Sequence, residues 1–261
     1  MQSDRESGVI ELSDDEFVRY SRHLLLEEVG EQGQLKLKQA SILVVGLGGL
    51  GSPAVQYLAA AGVGTLWLAD FDHIEVSNLQ RQTLYDMDSI KQSKAETARL
   101  KLQKLNPEVE VVAINQKMNE QNLVDFVAQV DLVLDCTDNI LIRQQLNAAC
   151  YGAGKPLLVG AAIRFEGQLL ALDPKRDHGC YRCLYGTDIG ERLNCSNSGV
   201  IGPVVGTIGM LQALEAIKYF TDTGTVPWGE LKLFDAKNHS WHGLRVPKDP
   251  ACPVCGLKGD Q

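Results

Sequence analysis

Gly46-x-Gly48-x-x-Gly51 is a spacing that lets main chain approach a phosphate group without side chains in the way. The helix it opens adds free N–H groups and a partial positive charge, both suited to an anion. Asp70, about twenty residues on, stands where a carboxylate accepts ribose hydroxyls. These features alone fit a dinucleotide or a nucleoside triphosphate. Lys94 separates the two. It follows Ser93 in the capping-box run Ser93-Lys94-Ala95-Glu96, so its cation faces the positive end of a helix. That position costs about 0.3–1 kcal/mol, and a cation placed there implies an anion to hold. Arg81, in the polar segment Ser77-Asn78-Leu79-Gln80-Arg81-Gln82, and Asp138-Asn139 complete the set. Cations that neutralise phosphate charge, with a carboxylate to anchor magnesium, suit a triphosphate better than hydride transfer.

A second group of residues is sulfur-based. Cys180-x-x-Cys183 and Cys252-x-x-Cys255 supply four thiolates, enough to close a tetrahedral structural zinc site. With every position filled by protein, such a site has no opening for chemistry. It would pin the C-terminal tail to the irregular stretch 174–202. Seven cysteines, four of them in these pairs, point to metal binding in a reducing compartment rather than to disulfides. Cys195 lies in a polar stretch and is a candidate reactive thiol, whereas Cys136 and Cys150 sit in core patterns.

The elements that must position these groups alternate along the chain. Ser13 and Glu16 form a capping box for a helix over 14–26. An apolar strand over 41–45 runs into the glycines, with Ser52 as N-cap and Pro53 at N1 of a helix ending before Gly62. A strand over 65–69 finishes this βαβ unit at Asp70. Helices are predicted over 94–105, 122–129 and 140–149, and strands over 109–115, 130–135, 157–160 and 168–173. Residues 174–202 have little periodicity; a buried helix (203–220) and a last strand (231–234) follow. The fold class is α/β: a doubly wound, Rossmann-type, mostly parallel sheet with an N-terminal helix and a zinc-stapled C-terminal part. We expect one domain over 1–261, comprising an N-terminal helical arm (1–40), a nucleotide-binding half (41–173) and a zinc-bearing half (174–261).

Composition narrows the function classes. The chain has 261 residues, 44% hydrophobic and 22% charged, enough for a large buried core. Its net charge of −8 disfavours generic binding to nucleic acid or anionic membranes, though it allows a local cationic pocket. No apolar run has bilayer length, and residues 1–10 are too polar for a signal peptide, so a cytoplasmic location is expected.

Arg19-Tyr20-Ser21-Arg22, the glycine run, Ser77 to Gln82, Lys94, Asp135-Cys136-Thr137-Asp138-Asn139 and both cysteine pairs, in that order, resemble the MoeB/ThiF family. These are bacterial relatives of ubiquitin-activating enzymes, and the likeness covers nearly the whole chain. It implies an adenylyltransferase: ATP and the terminal carboxylate of a ubiquitin-like sulfur-carrier protein ending in Gly-Gly give an acyl-adenylate and pyrophosphate. By the same resemblance, Arg81 and Lys94 act on the phosphates and Asp138 on magnesium. Gly49 and Asp70 hold the phosphate turn and the ribose. Ser77, Asn78, Leu79 and Gln80 lie along the nucleotide, and Asn139 flanks it. Arg22 matches an arginine that such homodimers lend to the partner subunit, and Cys195 a cysteine that in some members bonds to the activated carrier. The segments 199–206 and 229–235 are slightly closer to the thiamine-thiazole branch than to the molybdenum-cofactor branch. No rhodanese-like domain follows Gln261, so a separate sulfurtransferase or cysteine desulfurase is expected to supply sulfur. A nicotinamide-dependent dehydrogenase is the distant alternative, supported only by the glycines and Asp70.

Overall fold

The computed structural model describes residues 11–186 and 199–256. Three helices come first: α1 (Asp14–Arg19), α2 (Ser21–Leu24) and α3 (Gly30–Gln39). The expected capping box forms, Ser13 Oγ accepting from Glu16 N and the Glu16 carboxylate from Ser13 N. The expected continuous first helix does not. It breaks at Tyr20, which turns inward to 2% exposure, its hydroxyl accepting from Asn106 Nδ2 at 2.8 Å. Burying that ring outweighs one turn of an exposed helix. α3 was not foreseen, because polar Gln34 occupies its buried face, donating to Ala61 O at 2.8 Å and facing His23 Nδ1 at 3.0 Å.

The Rossmann half follows as β1 (Ser41–Val45), α4 (Gly51–Ala60), β2 (Thr65–Ala69), α5 (Lys94–Leu105), β3 (Glu110–Ile114), α6 (Glu120–Ala128), β4 (Leu132–Asp135), α7 (Ile140–Ala153) and β5 (Leu157–Ile163). The chain continues through β6 (Glu166–Leu172), the short α8 (Tyr181–Leu184), α9 (Gly202–Thr221), β7 (Glu230–Asp235) and β8 (Ser240–Arg245). Among the described residues these strands form one eight-stranded sheet in the order β3-β2-β1-β4-β5-β6-β7-β8. The first five are mutually parallel and the last three are added antiparallel. β8, unforeseen, pairs among the described residues only with β7, along an exposed edge, so no apolar alternation marks it.

Alternating side chains build two cores. Ile42, Val44, Leu66, Leu68, Leu134 and Leu158 face α4, α5 and α9, while Leu43, Val45, Val133 and Val159 face α6 and α7. Being covered on both faces is why the central strands read as unbroken apolar runs. Strand order reverses at β1, which lies between β2 and β4. The crevice at the carboxyl ends of β1 and β4 is where such sheets take ligands. Among the described residues no helix is long and apolar enough to cross a membrane.

Candidate active site

A cavity of about 570 Å³ opens at that switch point. Its floor is the glycine turn. Gly46 has φ +91°, and a Cβ there would lie 2.7 Å from Cys136 O; one on Gly51 would lie 2.0 Å from Gly46 O. Gly46 and Gly51 serve close packing of turn, helix and β4, and Gly46, Gly48 and Gly49 line the cavity. The helix starts two residues earlier than expected: Leu50 is the N-cap, and Ser52 and Pro53 lie within the first turn. Ser52 Oγ, fully buried, therefore caps nothing.

Asp70 lies at the end of β2 and lines the cavity. Its carboxylate accepts from Leu47 N at 2.7 Å and from Asp72 N at 2.8 Å, which ties the glycine turn to β2. Burial pushes its carboxyl above the ordinary range, opposed by the Lys94 charge and the two N–H donors. Each carboxylate oxygen retains a lone pair for a ribose hydroxyl. Lys94 begins α5 as expected, with Ser93 Oγ accepting from Glu96 N. The reciprocal half of that box is missing, because the Glu96 carboxylate turns to Arg99. Lys94 is only 6% exposed, and its Nζ lies 3.2 Å from Asp72 Oδ2.

Asn78, Gln80 and Arg81 line the cavity from the segment after β2. Asn78 Oδ1 accepts from Glu75 N at 3.2 Å, closing a short 3-10 turn that aims the segment inward. Arg81 Nη1 donates to Ser77 O at 3.1 Å, which steadies its guanidinium. Ser77 and Leu79 do not line the cavity: the Ser77 hydroxyl is exposed beside Glu75, and Leu79 packs against the core. On the opposite wall, Asp138 and Asn139 follow β4. Asn139 also caps α7, its Oδ1 accepting from Ile142 N at 3.2 Å.

Beneath that wall lies a polar network. Arg143 Nη2 donates to Gly160 O at 2.9 Å and to Thr137 O. Gln212, fully buried on α9, donates to Asp135 O at 2.9 Å and to Leu158 O at 3.0 Å, joining β4 to β5. Asp135 Oδ1 accepts from Thr137 N and Oγ1, while Oδ2 has no hydrogen-bond partner among the described residues. Burial raises the Asp135 carboxyl, with Arg143 and Thr137 opposing.

The four paired cysteines converge elsewhere. Cys180, Cys183, Cys252 and Cys255 place their sulfurs within 4.8 Å of one another. Cys180 and Cys252 are 3.7 Å apart, against about 3.8 Å for the edge of a tetrahedron with 2.3 Å zinc–sulfur bonds. Such a donor set fits zinc. Cys136 and Cys150 are buried in the core, as their patterns predicted. Cys195 lies outside the described residues. Arg22 is exposed on α2 and is not part of the cavity wall.

Residues 20–254 match the ThiF family. The chain belongs to that family. It is 47% identical over 245 residues to a sulfur carrier protein ThiS adenylyltransferase from Escherichia coli (strain K12), spanning 94% of this chain and 97% of that protein. A molybdopterin-synthase adenylyltransferase from Salmonella typhimurium is 45% identical over 246 residues, spanning 94% and 99%. Among solved structures, E. coli MccB with ATP superposes with a TM-score of 0.80 at 25% identity, covering 92% of this chain and 75% of MccB.

In this ThiF-family chain the cavity thus gathers Gly49, Asp70, Asn78, Gln80, Arg81, Lys94, Asp138 and Asn139, dispersed over some ninety residues of sequence. Phe71, Asp72, Lys117 and Gln82 also line the cavity, and of these only Gln82 lay in a segment the sequence singled out. Asp72 and half-exposed Phe71 line the cavity beside Asp70, and the run Asp70-Phe71-Asp72 at a strand end was the signal for both. Lys117, 5.9 Å from the Phe71 ring centroid, arrives from the loop after β3. Gln82, 3% exposed and with Oε1 unpartnered among the described residues, lines the cavity beside Gly48.

Proposed function

We propose that this chain adenylylates the C-terminal glycine carboxylate of a ubiquitin-like sulfur-carrier protein with ATP. The observation that carries the reading is the convergence of Lys94, Arg81 and Asp138 on one cavity at the switch point of the sheet. The reaction joins two anions. A carboxylate oxygen attacks the α-phosphorus, an acyl–phosphate bond forms, the bond to the β-phosphate breaks, and pyrophosphate leaves. Its barrier falls when positive groups cancel the repulsion and hold the reactants in line. Lys94 and Arg81 supply fixed cations, and the N-terminus of α4 behind Gly48 and Gly49 supplies N–H donors. Asp70 receives the ribose, and the Phe71 face, carrying Lys117, offers the base an apolar platform. Magnesium neutralises phosphate charge; the exposed Asp138 carboxylate, with the phosphates themselves, provides the oxygen ligands it prefers.

Zinc is the metal that suits the cysteine cluster, with Cys180, Cys183, Cys252 and Cys255 as its ligands. There it would pin the tail to the segment that carries Cys180 and Cys183 and stay out of the chemistry. Exposed Arg22 suits a homodimer in which it reaches the phosphates bound by the partner subunit. Cys195 is the candidate for a covalent link to the activated carrier.

The ThiS-type carrier of thiamine-thiazole synthesis is the first choice of substrate, in line with the 47% identity to a ThiS adenylyltransferase. The small subunit of molybdopterin synthase is the second, supported by the 45% identity to its adenylyltransferase. Carrier-dependent exchange of labelled pyrophosphate into ATP tests the reading, with both carriers assayed side by side. Exchange with one and not the other assigns the branch; no exchange with either defeats the proposal.

A further inference from the structure

Asn147 lies on α7, 3% exposed, between the Rossmann core and the cysteine cluster. Its Oδ1 accepts from the backbone N–H of Tyr181 at 2.9 Å. A backbone N–H can only donate, so this contact fixes which way the carboxamide points. The Nδ2 group must then face Cys180 Sγ, which it does at 3.4 Å. A donor aimed at sulfur holds that sulfur in one orientation, which is what a closed ligand set needs. Cys183 has a comparable donor in the main chain of the tail, Asp249 N at 3.4 Å. Asn147 differs in coming from an element that carries no ligand. Its neighbours on α7 reach the same region: Gln144 donates to Tyr185 O at 3.3 Å, and the Tyr151 hydroxyl to Cys255 O at 3.5 Å.

We propose that Asn147 is a positioning residue of the four-cysteine metal site, its Nδ2 orienting the Cys180 sulfur while its Oδ1 fixes the start of α8. The inference rests on the zinc reading above, not on the identity of the carrier. Groups that hydrogen-bond to metal ligands set ligand orientation and electron density, and removing one typically costs about 10–100-fold in metal affinity. A buried asparagine that only satisfied Tyr181 would stabilise the fold equally with and without metal. The two roles therefore separate in a comparison of loaded and stripped protein.

The experiment uses the full chain loaded with zinc and measures affinity by competition with a chromophoric chelator. Asn147→Ala and Asn147→Asp are each expected to weaken zinc by about 10–100-fold. The aspartate should do so at least as strongly, because it sets an anionic oxygen against the sulfur. It keeps both the acceptor for Tyr181 and the size of the side chain, so it reports on the sulfur contact even where the alanine variant does not fold. Melting temperatures should differ more from wild type in the loaded protein than after chelation. Variant affinities within about twofold of wild type, or an equal melting deficit in both states, would overturn the assignment of Asn147 alone. A wild-type chain that takes up well under one zinc would overturn it together with the metal reading.

Discussion

Lys94 Nζ lies 3.2 Å from Asp72 Oδ2, inside the cavity where a triphosphate would sit. The lysine is buried and the aspartate half-exposed, so the ion pair keeps an otherwise costly buried cation compensated. On the proposed ATP reading, phosphate oxygens would take over that role and Asp72 would hold the place of the substrate. Lys94→Ala should therefore lose about 10²–10³-fold in kcat/KM for pyrophosphate exchange. Asp72→Asn removes a negative charge from the cavity and should leave KM for ATP no higher than in wild type. Steady-state exchange kinetics on both variants decide the matter. An Asp72→Asn loss as large as that of Lys94→Ala would make Asp72 a magnesium ligand instead.

Asp135 gives a pH signature. Burial raises its carboxyl in the folded protein, so the folded state holds the proton to higher pH than the unfolded state does. Its contribution to stability is then most favourable below the unfolded value and declines as pH rises towards the folded one. Asp135→Asn keeps an acceptor for Thr137 and cannot ionise. The melting temperature of the variant relative to wild type should thus climb as pH rises above about 4, the ordinary range of an unfolded aspartate. A flat difference as pH rises would mean that Arg143 fully compensates the charge.

Much of this site was legible because its parts carry local signals. An apolar run into glycines marks β1 and its turn, Ser93 marks the start of α5, and cysteine spacing marks the metal cluster. What was not legible depends on tertiary partners. Tyr20 breaks its helix to reach Asn106, eighty-six positions away. Gln34 looks like a solvated residue until Ala61 O is beside it, and Gln212 like a polar flaw in a core helix until β4 and β5 present their carbonyls. Asn147 is of the same kind, a helix-interior amide whose purpose appears only when Cys180 packs against it. Buried polar groups need partners, and chain separation hides those partners from any local pattern.

Arg22 tests the assembly. It is exposed on α2, apart from the cavity of its own chain. If it acts on the partner's phosphates, Arg22→Ala and Lys94→Ala homodimers should each be impaired in exchange. Mixed heterodimers would contain one cavity with Lys94 intact and the partner's arginine intact. After subunit exchange, activity should rise towards about one quarter of wild type, since half the dimers are mixed and each has one competent site. No recovery, with heterodimers demonstrated by differential tagging, would confine Arg22 to its own surface.

The glycine turn separates packing from ligand contact within six residues. A Cβ on Gly51 would lie 2.0 Å from Gly46 O, a main-chain atom that cannot move without displacing β1. On Gly48 it would meet nothing closer than Gln82 Nε2 at 3.6 Å, an ordinary contact, while projecting beside the cavity wall. Gly51→Ala should therefore cost several kcal/mol, on the order of other overpacked or strained core sites, and appear mainly as a lower melting temperature. Gly48→Ala should stay within about 1 kcal/mol of wild-type stability, yet raise KM for ATP, because the methyl group fills space that phosphate oxygens need. Thermal melts and exchange kinetics on the same two proteins measure both halves of the contrast. A Gly48→Ala enzyme with unchanged KM would move the phosphates away from this turn, and the role assigned to the N-terminus of α4 would go with them.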